Sequence, residues 1–412
     1  MQYGCIGRKL SHSFSKIIHN MLESYDYQLF ELEPEALPDF LKKRQFKAIN
    51  VTIPYKQDVI SGLDYTDSIA LSIGAVNTIV NQDGKLYGYN TDFAGMSALI
   101  KRVGIEICNK TVAILGSGGT SKTAFAVCKS MNAKTIYRVS RKESEDTITY
   151  DNLYKISEDI DVIINTTPCG MYPDIQSEAV DIDKFSKLCG VIDAVYNPLR
   201  SRLVLKAKQK GIKAEGGLYM LVAQAVFAAE HFMSKSIDKS EIDRIYNEIL
   251  MQKQNIVLVG MPASGKTTNG KAVAKALSRE FIDSDKQIVN KYGNIPEIFE
   301  KYGEKGFREI EKNIITELSK ESGKVIATGG GAVLEGENVF HLKQNGKVIF
   351  IDRDIDKIPA TPDRPLSNDR QKLRKLYDER MPIYKEICDV HIKMNEDIEQ
   401  NTRDIIDGYY NK

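Results

Sequence analysis

Two places where an apolar strand turns through glycines into a helix constrain this chain more than any other feature. The first reads TVAIL, GSGGTS, KTAFAVCKSM from Thr111; the second reads NIVLV, GMPASGKT from Asn255. A buried β-branched run that enters a helix through glycines builds a parallel α/β unit. Its helix N-terminus then offers unpaired amides to an anion. Short apolar runs alternate with amphipathic stretches along all 412 residues, so the fold class is α/β with mostly parallel sheets. Strands are expected near Tyr3–Ile6, Gln28–Leu32 and Ala48–Val51, and in TVAIL, KTIYRV, DVIIN and GVIDA. A long buried helix is expected from Glu215 to Phe232 and an amphipathic one from Asp238 to Gln252. The polar stretch MQKQN, 251–255, reads as a short link between domains.

Charge and cysteine usage exclude several classes. Lys plus Arg is 57 and Asp plus Glu is 56, which argues against a nucleic-acid or anionic-membrane partner. The start, MQYGCIGRKLSHS, has no basic stretch followed by an apolar one. The longest apolar run, Met220–Ala229, is interrupted by Gln224, so neither a secreted nor a spanning protein is expected. None of the six cysteines forms C-x-x-C. They read as buried thiols in a reducing cytoplasm, and no structural metal is expected.

Residues 260–267, GMPASGKT, complete the G-x-x-x-x-G-K-[ST] pattern between strand and helix. Backbone amides there fold around phosphate oxygens, Lys266 reaches the β/γ-phosphates, and the Thr267 hydroxyl suits Mg²⁺. Downstream, FIDSD puts Asp283 and Asp285 at the end of an expected strand, and at i and i+2 they project the same way from it. Either could hold Mg²⁺ through water or accept from an acceptor hydroxyl; either could instead cap a helix. GEKGFREIE holds Arg308 one turn before Glu311. Three glycines, 329–331, follow the strand KVIAT. ATPDRPLSNDR reads as a mobile lid, and DERMPIY puts Arg380 near a helix end.

From Asn255 onward these pieces resemble shikimate kinase, through GMPASGKTT, DSD, GFREIE, ATGGGAV, RPL and ERMPIY in that order. The resemblance implies ATP binding at Ala263, Ser264, Gly265, Lys266, Thr267 and Thr268, with Arg364 reaching ATP from the lid. It implies shikimate binding by Asp285, Arg308, Gly330 and Arg380, Mg²⁺ near Thr267 and Asp283, and catalysis by Lys266 and Asp285. Two arginines suit a carboxylate through paired hydrogen bonds. The stretch between KVIFID and RPL is shorter than the family usually has.

The first glycine loop, Gly116, Ser117, Gly118, Gly119, Thr120 and Ser121, has serine where a third glycine is common. The strand after it ends in Ser140, Arg141 and Lys142. Basic residues there suit a 2′-phosphate, so NADP is favoured over NAD. Upstream, SHSFS, NVTIPYK, GAVNT and GYNTDFAG gather hydroxyls, amides and a Lys/Asp pair; Ser15, Asp67 and Thr91 could each cap a helix.

With NTTPCGMYP, IDAVYNPLRSRL and GGLYMLVAQA, residues 1–250 resemble shikimate dehydrogenase. The resemblance implies that Ser13 and Ser15 hold the substrate carboxylate, and that Thr52, Asn77 and Gln224 bind ring hydroxyls. Lys56 and Asp92 become the catalytic pair, and Tyr196 and Gly217 line the nicotinamide end. Lys16 stands where the family commonly has proline, and the opening is GRK. An ordinary lysine has a pKa of about 10.4 and is a ready acid at neutral pH, so Lys56 is read as the proton donor in reduction.

The two resemblances together imply a bifunctional enzyme: a two-lobed dehydrogenase with a Rossmann lobe, then a P-loop kinase domain with flanking helices. The expected boundaries are 1–103 for the substrate lobe (with helices returning near 216–250), 104–250 for the NADP lobe and 254–412 for the kinase. The expected reactions are NADPH-dependent reduction of 3-dehydroshikimate and ATP-dependent phosphorylation of shikimate. Rival readings are a quinate/shikimate dehydrogenase using NAD joined to a small-metabolite kinase, and a nucleotide-binding regulatory module with one inactive half.

Overall fold

The computed structural model describes residues 2–10, 14–22, 25–359 and 369–411. The chain divides into two compact units, Met1–Glu248 and Ile249–Lys412. The division falls inside the helix Ser240–Lys253, and a strand begins at Asn255. The stretch 251–255 is therefore helix end and strand start, separated by Gln254 alone, and not the link its polarity suggested.

The first unit carries two sheets. Strands β1 (Tyr3–Gly7), β2 (Tyr27–Glu31), β3 (Ala48–Val51), β4 (Tyr65–Thr66), β5 (Thr78–Gln82) and β6 (Lys85–Tyr89) stand in the order β2-β1-β3-β5-β6-β4. β1 is parallel to β2 and β3, but β5 runs antiparallel to both β3 and β6. This sheet is mixed. The two-residue hairpin Asp83-Gly84, both with positive φ (51° and 82°), returns the chain directly and makes β6 antiparallel to β5.

The second sheet is wholly parallel. It holds β7 (Thr111–Leu115), β8 (Thr135–Ser140), β9 (Ile148–Thr149), β10 (Val162–Asn165), β11 (Gly190–Asp193) and β12 (Lys213–Glu215), in the order β12-β11-β10-β7-β8-β9. The chain winds outward from β7 to β9, then restarts at β10 on the other side. A crevice opens at the carboxyl ends of β7 and β10, the usual ligand position in such sheets. Both faces of β7 are covered, which is why its sequence is a continuous apolar run.

The second unit has five parallel strands: β13 (Asn255–Val259), β14 (Phe281–Asp283), β15 (Val325–Ala327), β16 (Gly346–Asp352) and β17 (Val390–Lys393), in the order β14-β15-β13-β16-β17. Central β13 shows the period of two. Val257 and Val259 enter one core with Phe350 and Tyr384; Ile256 and Leu258 enter the other with Ile405 and Tyr409. Full burial of each such side chain is worth about 1.5–3 kcal/mol.

Several local expectations change. The helix containing Arg380 runs Arg370–Ile387 with Pro382 inside it, so Arg380 lies in its body and not near an end. Asp67 does cap its helix, accepting from Ile69 N at 2.5 Å and Ala70 N at 2.9 Å. Asn90, not Thr91, caps Thr91–Val103, and Ser15–Met21 starts without a side-chain cap. Of the cysteines, Cys5 and Cys128 are buried, whereas Cys108 and Cys189 are exposed, against the expectation of buried thiols. Among the described residues no helix is long and apolar enough to cross a membrane.

Candidate active sites

The turn after β3 carries Thr52 and Lys56. Buried Tyr55 pins it, donating its hydroxyl proton to Leu32 O while its amide donates to Thr52 O at 3.0 Å. Lys56 is thereby aimed at the first turn of helix Thr91–Val103, where its Nζ meets Asp92 Oδ2 at 2.6 Å. Beside the pair, Asn77 Oδ1 accepts from Thr91 N at 2.7 Å, and Asn77 Nδ2 donates to Thr91 Oγ1 at 3.0 Å. Asn77 Nδ2 also reaches Gln224 Oε1 at 3.5 Å, bringing in helix Leu218–Met233. That meeting depends on Gly95: a β-carbon there would lie 2.8 Å from Met220 O and 2.9 Å from Gln224 Cβ. Sequence reasoning missed Asn50, whose Nδ2 donates to Asn77 O at 3.3 Å from inside the motif NVTIPYK.

Ser13 lies outside the described residues. Ser15 begins the first helix, and Phe14 before it packs edge-on against Tyr196 with ring centroids 5.5 Å apart. Burial raises the Tyr196 hydroxyl pKa. Thr52, Lys56, Asp92, Asn77 and Gln224 thus share one end of the first sheet, with Tyr196 reaching the Ser15 loop. Gly217 caps helix Leu218–Met233, donates from its amide to Val195 O at 2.8 Å and lies against Ala194 O.

The loop that holds Tyr196 is tied down by a group that sequence reasoning missed. Asp193, fully buried, accepts from Asn165 Nδ2 at 2.9 Å, from Val195 N at 3.0 Å and from Ser201 Oγ at 2.5 Å. Burial outweighs those bonds and raises its carboxyl to about 6.

At the first glycine loop Gly116 has φ of 113°, and a β-carbon there would meet Thr166 Oγ1 at 2.7 Å. Gly118 and Gly119 have nothing within 4 Å of a β-carbon, so the start of helix Gly119–Ser130 is an open cradle lined by first-turn amides of Gly119, Thr120 and Ser121. Ser117 is exposed beside it, and Arg141 is exposed at the end of β8. These residues fit a dinucleotide. Ser121, at the third glycine position, is buried and takes a bond from Arg138 Nε at 3.3 Å; Arg138 was not foreseen.

In the second unit the loop 260–265 wraps the start of helix Lys266–Ala276, with positive φ at Gly260, Ala263 and Gly265. Lys266 Nζ donates to Gly260 O at 2.9 Å and Met261 O at 2.8 Å. Ser264 Oγ is buried without a hydrogen-bond partner, Thr268 is exposed, and Thr267 Oγ1 donates to Asp283 Oδ2 at 2.7 Å. A buried hydroxyl awaiting a partner fits a phosphate. The hydroxyl and carboxylate of Thr267 and Asp283 are oxygen donors that fit Mg²⁺.

Asp283 and Asp285 do not project together from a strand. Asp283 ends β14 and caps helix Ser284–Tyr292, accepting from Asp285 N at 3.1 Å. Asp285 lies in that helix's first turn, and its carboxylate joins the glycine run instead. A β-carbon on Gly329 would fall 2.6 Å from Asp285 Oδ1 and 2.8 Å from Glu311 Oε1; one on Gly331 would strike the Arg308 guanidinium. Arg308 Nη1 donates to Glu311 Oε2 at 2.6 Å and Nη2 to Glu304 Oε1 at 3.2 Å. Gly330 O accepts from Tyr384 OH. Arg380 is buried, and its charge bears on both Tyr384 and Glu311. Asp285, Arg308, Gly330 and Arg380 therefore gather around 329–331, with Glu311 the unforeseen member. Burial raises the Glu311 carboxyl pKa against the opposing pull of Arg308. Arg364 and residues 360–368 of the stretch read as a lid, 360–370, lie outside the described residues; its last two, Asp369 and Arg370, cap and begin helix Arg370–Ile387.

Comparison with known proteins gives these sites a family. Residues 5–79 match the model of the shikimate dehydrogenase substrate binding domain, and residues 262–409 match that of shikimate kinase. The shikimate dehydrogenase (NADP(+)) of Clostridium perfringens is 38% identical over 265 residues, 60% of this chain and 97% of that one. That of Clostridium beijerinckii is 39% identical over 260 residues, 60% of this chain and 96% of its own. Among solved structures, shikimate dehydrogenase 1 of Peptoclostridium difficile superposes with a TM-score of 0.55 at 34% identity, over 60% of this chain and 98% of that chain. A chorismate mutase/shikimate 5-dehydrogenase fusion protein of Clostridium acetobutylicum does so with a TM-score of 0.57 at 36% identity, over 60% and 96%. Two separate family matches in one polypeptide, with relatives covered almost end to end by the first 60% of the chain, lead to one conclusion: the chain belongs to the shikimate dehydrogenase family and continues into a shikimate kinase domain.

Proposed function

We propose that this chain carries out two successive reactions on one ring: NADPH-dependent reduction of 3-dehydroshikimate to shikimate, then ATP-dependent phosphorylation of shikimate at its 3-hydroxyl. The observation that carries the reading is that both families stand on one polypeptide and the product of one is the substrate of the other.

In the first reaction bound NADPH would supply the hydride, held by the amides of Gly116–Ser121 with its 2′-phosphate at Arg141. Lys56 Nζ donates its proton to the carbonyl oxygen as that oxygen gains negative charge, and Asp92 holds the ammonium in place from 2.6 Å. Ser13 and Ser15 take the carboxylate, Thr52, Asn77 and Gln224 the ring hydroxyls, and Tyr196 and Gly217 line the nicotinamide end. In the second reaction Mg²⁺ at Thr267 and Asp283 would offset phosphate charge. Lys266 leaves its carbonyl partners for the β/γ-phosphates, and the loop 263–268 wraps them. Asp285 accepts a hydrogen bond from the 3-hydroxyl, while Arg308 and Arg380 bind the carboxylate as a pair. Arg364 would reach ATP from its segment.

The six free cysteines support a reducing cytoplasm as the setting. One mixture of purified protein, 3-dehydroshikimate, NADPH and MgATP tests the whole reading. NADPH consumption and appearance of shikimate 3-phosphate are both expected; absence of either removes the corresponding half.

A further inference from the structure

We infer that Ser284 and Tyr384 are positioning residues of the kinase unit: from behind the glycine run 329–331 they fix its peptide planes, so that the amides of Gly330 and Gly331 stay free for the acceptor. The inference rests on the kinase reading above, which puts the acceptor against this run.

Three consecutive peptide units of the run are each fixed by one hydrogen bond. Gly329 N donates to Ser284 Oγ at 2.9 Å. Gly329 O accepts from Ala332 N at 3.2 Å, and Gly330 O accepts from Tyr384 OH. The peptide bonds here are trans, so each carbonyl points opposite to the N–H of the residue after it. Fixing the oxygens of Gly329 and Gly330 therefore turns the amides of Gly330 and Gly331 the other way. Among the described residues those two amides have no acceptor, although Gly331 is buried and Gly330 half-buried. Amides left over in such a place are free to bind a ligand.

Both holders belong to elements that also carry charged members of the site. Ser284 is fully buried and stands between Asp283 and Asp285, at the start of helix Ser284–Tyr292. Its bond to Gly329 fixes how far the Asp285 carboxylate stands from the run, with Oδ1 2.6 Å from a β-carbon position on Gly329. Tyr384 is also fully buried and follows Arg380 by one helical turn, its ring stacked on Phe350 with centroids 5.1 Å apart. Burial pushes its phenol up to about 12, so the hydroxyl keeps its proton and remains a donor to Gly330 O. The run in turn lies on the phosphate loop, where a β-carbon on Gly330 would meet Pro262 Cδ at 2.7 Å. Two hydroxyls sealed away from solvent thereby set how the amides, Asp285 and Arg380 converge on one ligand beside the phosphates.

The test is the initial rate of ADP formation by the full chain with MgATP and shikimate, in the absence of nicotinamide. Tyr384→Phe keeps the ring and removes only the hydroxyl. It is expected to raise KM for shikimate about tenfold, near 1.4 kcal/mol. The amides and Arg380 hold groups that do not react, so kcat and KM for ATP should change less than about threefold. Ser284→Ala should give the same pattern. Ile405→Val, in the opposite core, is the packing control: it should lower the melting temperature and leave both KM values in place. An unchanged KM for shikimate in either hydroxyl variant, an equal rise in KM for ATP, or a comparable rise in Ile405→Val would each overturn the inference. A parent that forms no ADP with shikimate would sink the proposed reaction and the inference together; an active parent with indifferent variants would sink the inference alone.

Discussion

The two reaction centres use charge in opposite ways. In the proposed reduction one pair would do the work, and it stays open: the side chains of Lys56 and Asp92 are 26% and 14% exposed. In the kinase unit Arg308 and Glu311 are 13% and 1% exposed, Asp285 crowds the same glycines, and buried Arg380 acts on Glu311 through its charge. A residue that gives up a proton must regain it from solvent in every turnover, so it cannot be sealed away. Residues that only hold a carboxylate and a developing charge do better fixed in a dry setting, where fields are stronger. The second arrangement has a cost, because buried charges destabilise unless all are paired.

Substitutions can break or sharpen that contrast. The largest effect belongs to Lys266. Lys266→Ala should lower phosphoryl transfer by roughly 1000-fold, while NADPH oxidation by the same preparation is unchanged. Loss of both activities in a folded protein would show that the units are not independent. Next comes Lys56→Ala, which should cut turnover in reduction by roughly 100-fold or more with little change in KM for the keto acid. Equal turnover in variant and parent would remove Lys56 from the reaction.

A third, smaller effect reads the support beneath Tyr196. Burial raises Asp193 to about 6, so the folded state binds its proton more tightly than the unfolded chain does. That contribution is fully present below about pH 4, falls away as pH rises through about 6, and amounts to about 3 kcal/mol at most. Denaturant melts at pH 4 and pH 7 should show Asp193→Asn losing this part of the pH dependence; parallel curves would refute it. Smallest is Arg141→Ala, expected to reduce the preference for NADPH over NADH by about tenfold in kcat/KM. An unchanged ratio would move the 2′-phosphate contact elsewhere, with Lys142 beside it and Arg138 on β8 as the alternative cations.

Both loops were legible in sequence because their chemistry is local. A strand, a few glycines and a helix fix where amides, Lys266 and Thr267 fall. Residues joined across the chain were less so. Asn165 and Asp193 sit at the ends of neighbouring strands, and Glu311 reaches Gly329 from another helix; neither pairing leaves a spacing that one stretch of sequence reveals. The i, i+2 argument for Asp283 and Asp285 failed because the strand stops between them, and the capping role of Asp283 ends the alternation. The hairpin at Asp83-Gly84 carried its own signal and was simply passed over. DERMPIY was read as putting Arg380 near a helix end, but the helix continues past Pro382 for another five residues, to Ile387.

Lys266 carries a last consequence. Its ammonium is already satisfied by two carbonyls of its own loop. In the proposed reaction, incoming phosphates would have to win it away, so part of their attraction would be spent on an exchange of partners and would not show as affinity. Meanwhile the same cation braces the turn internally, across three residues with left-handed backbone.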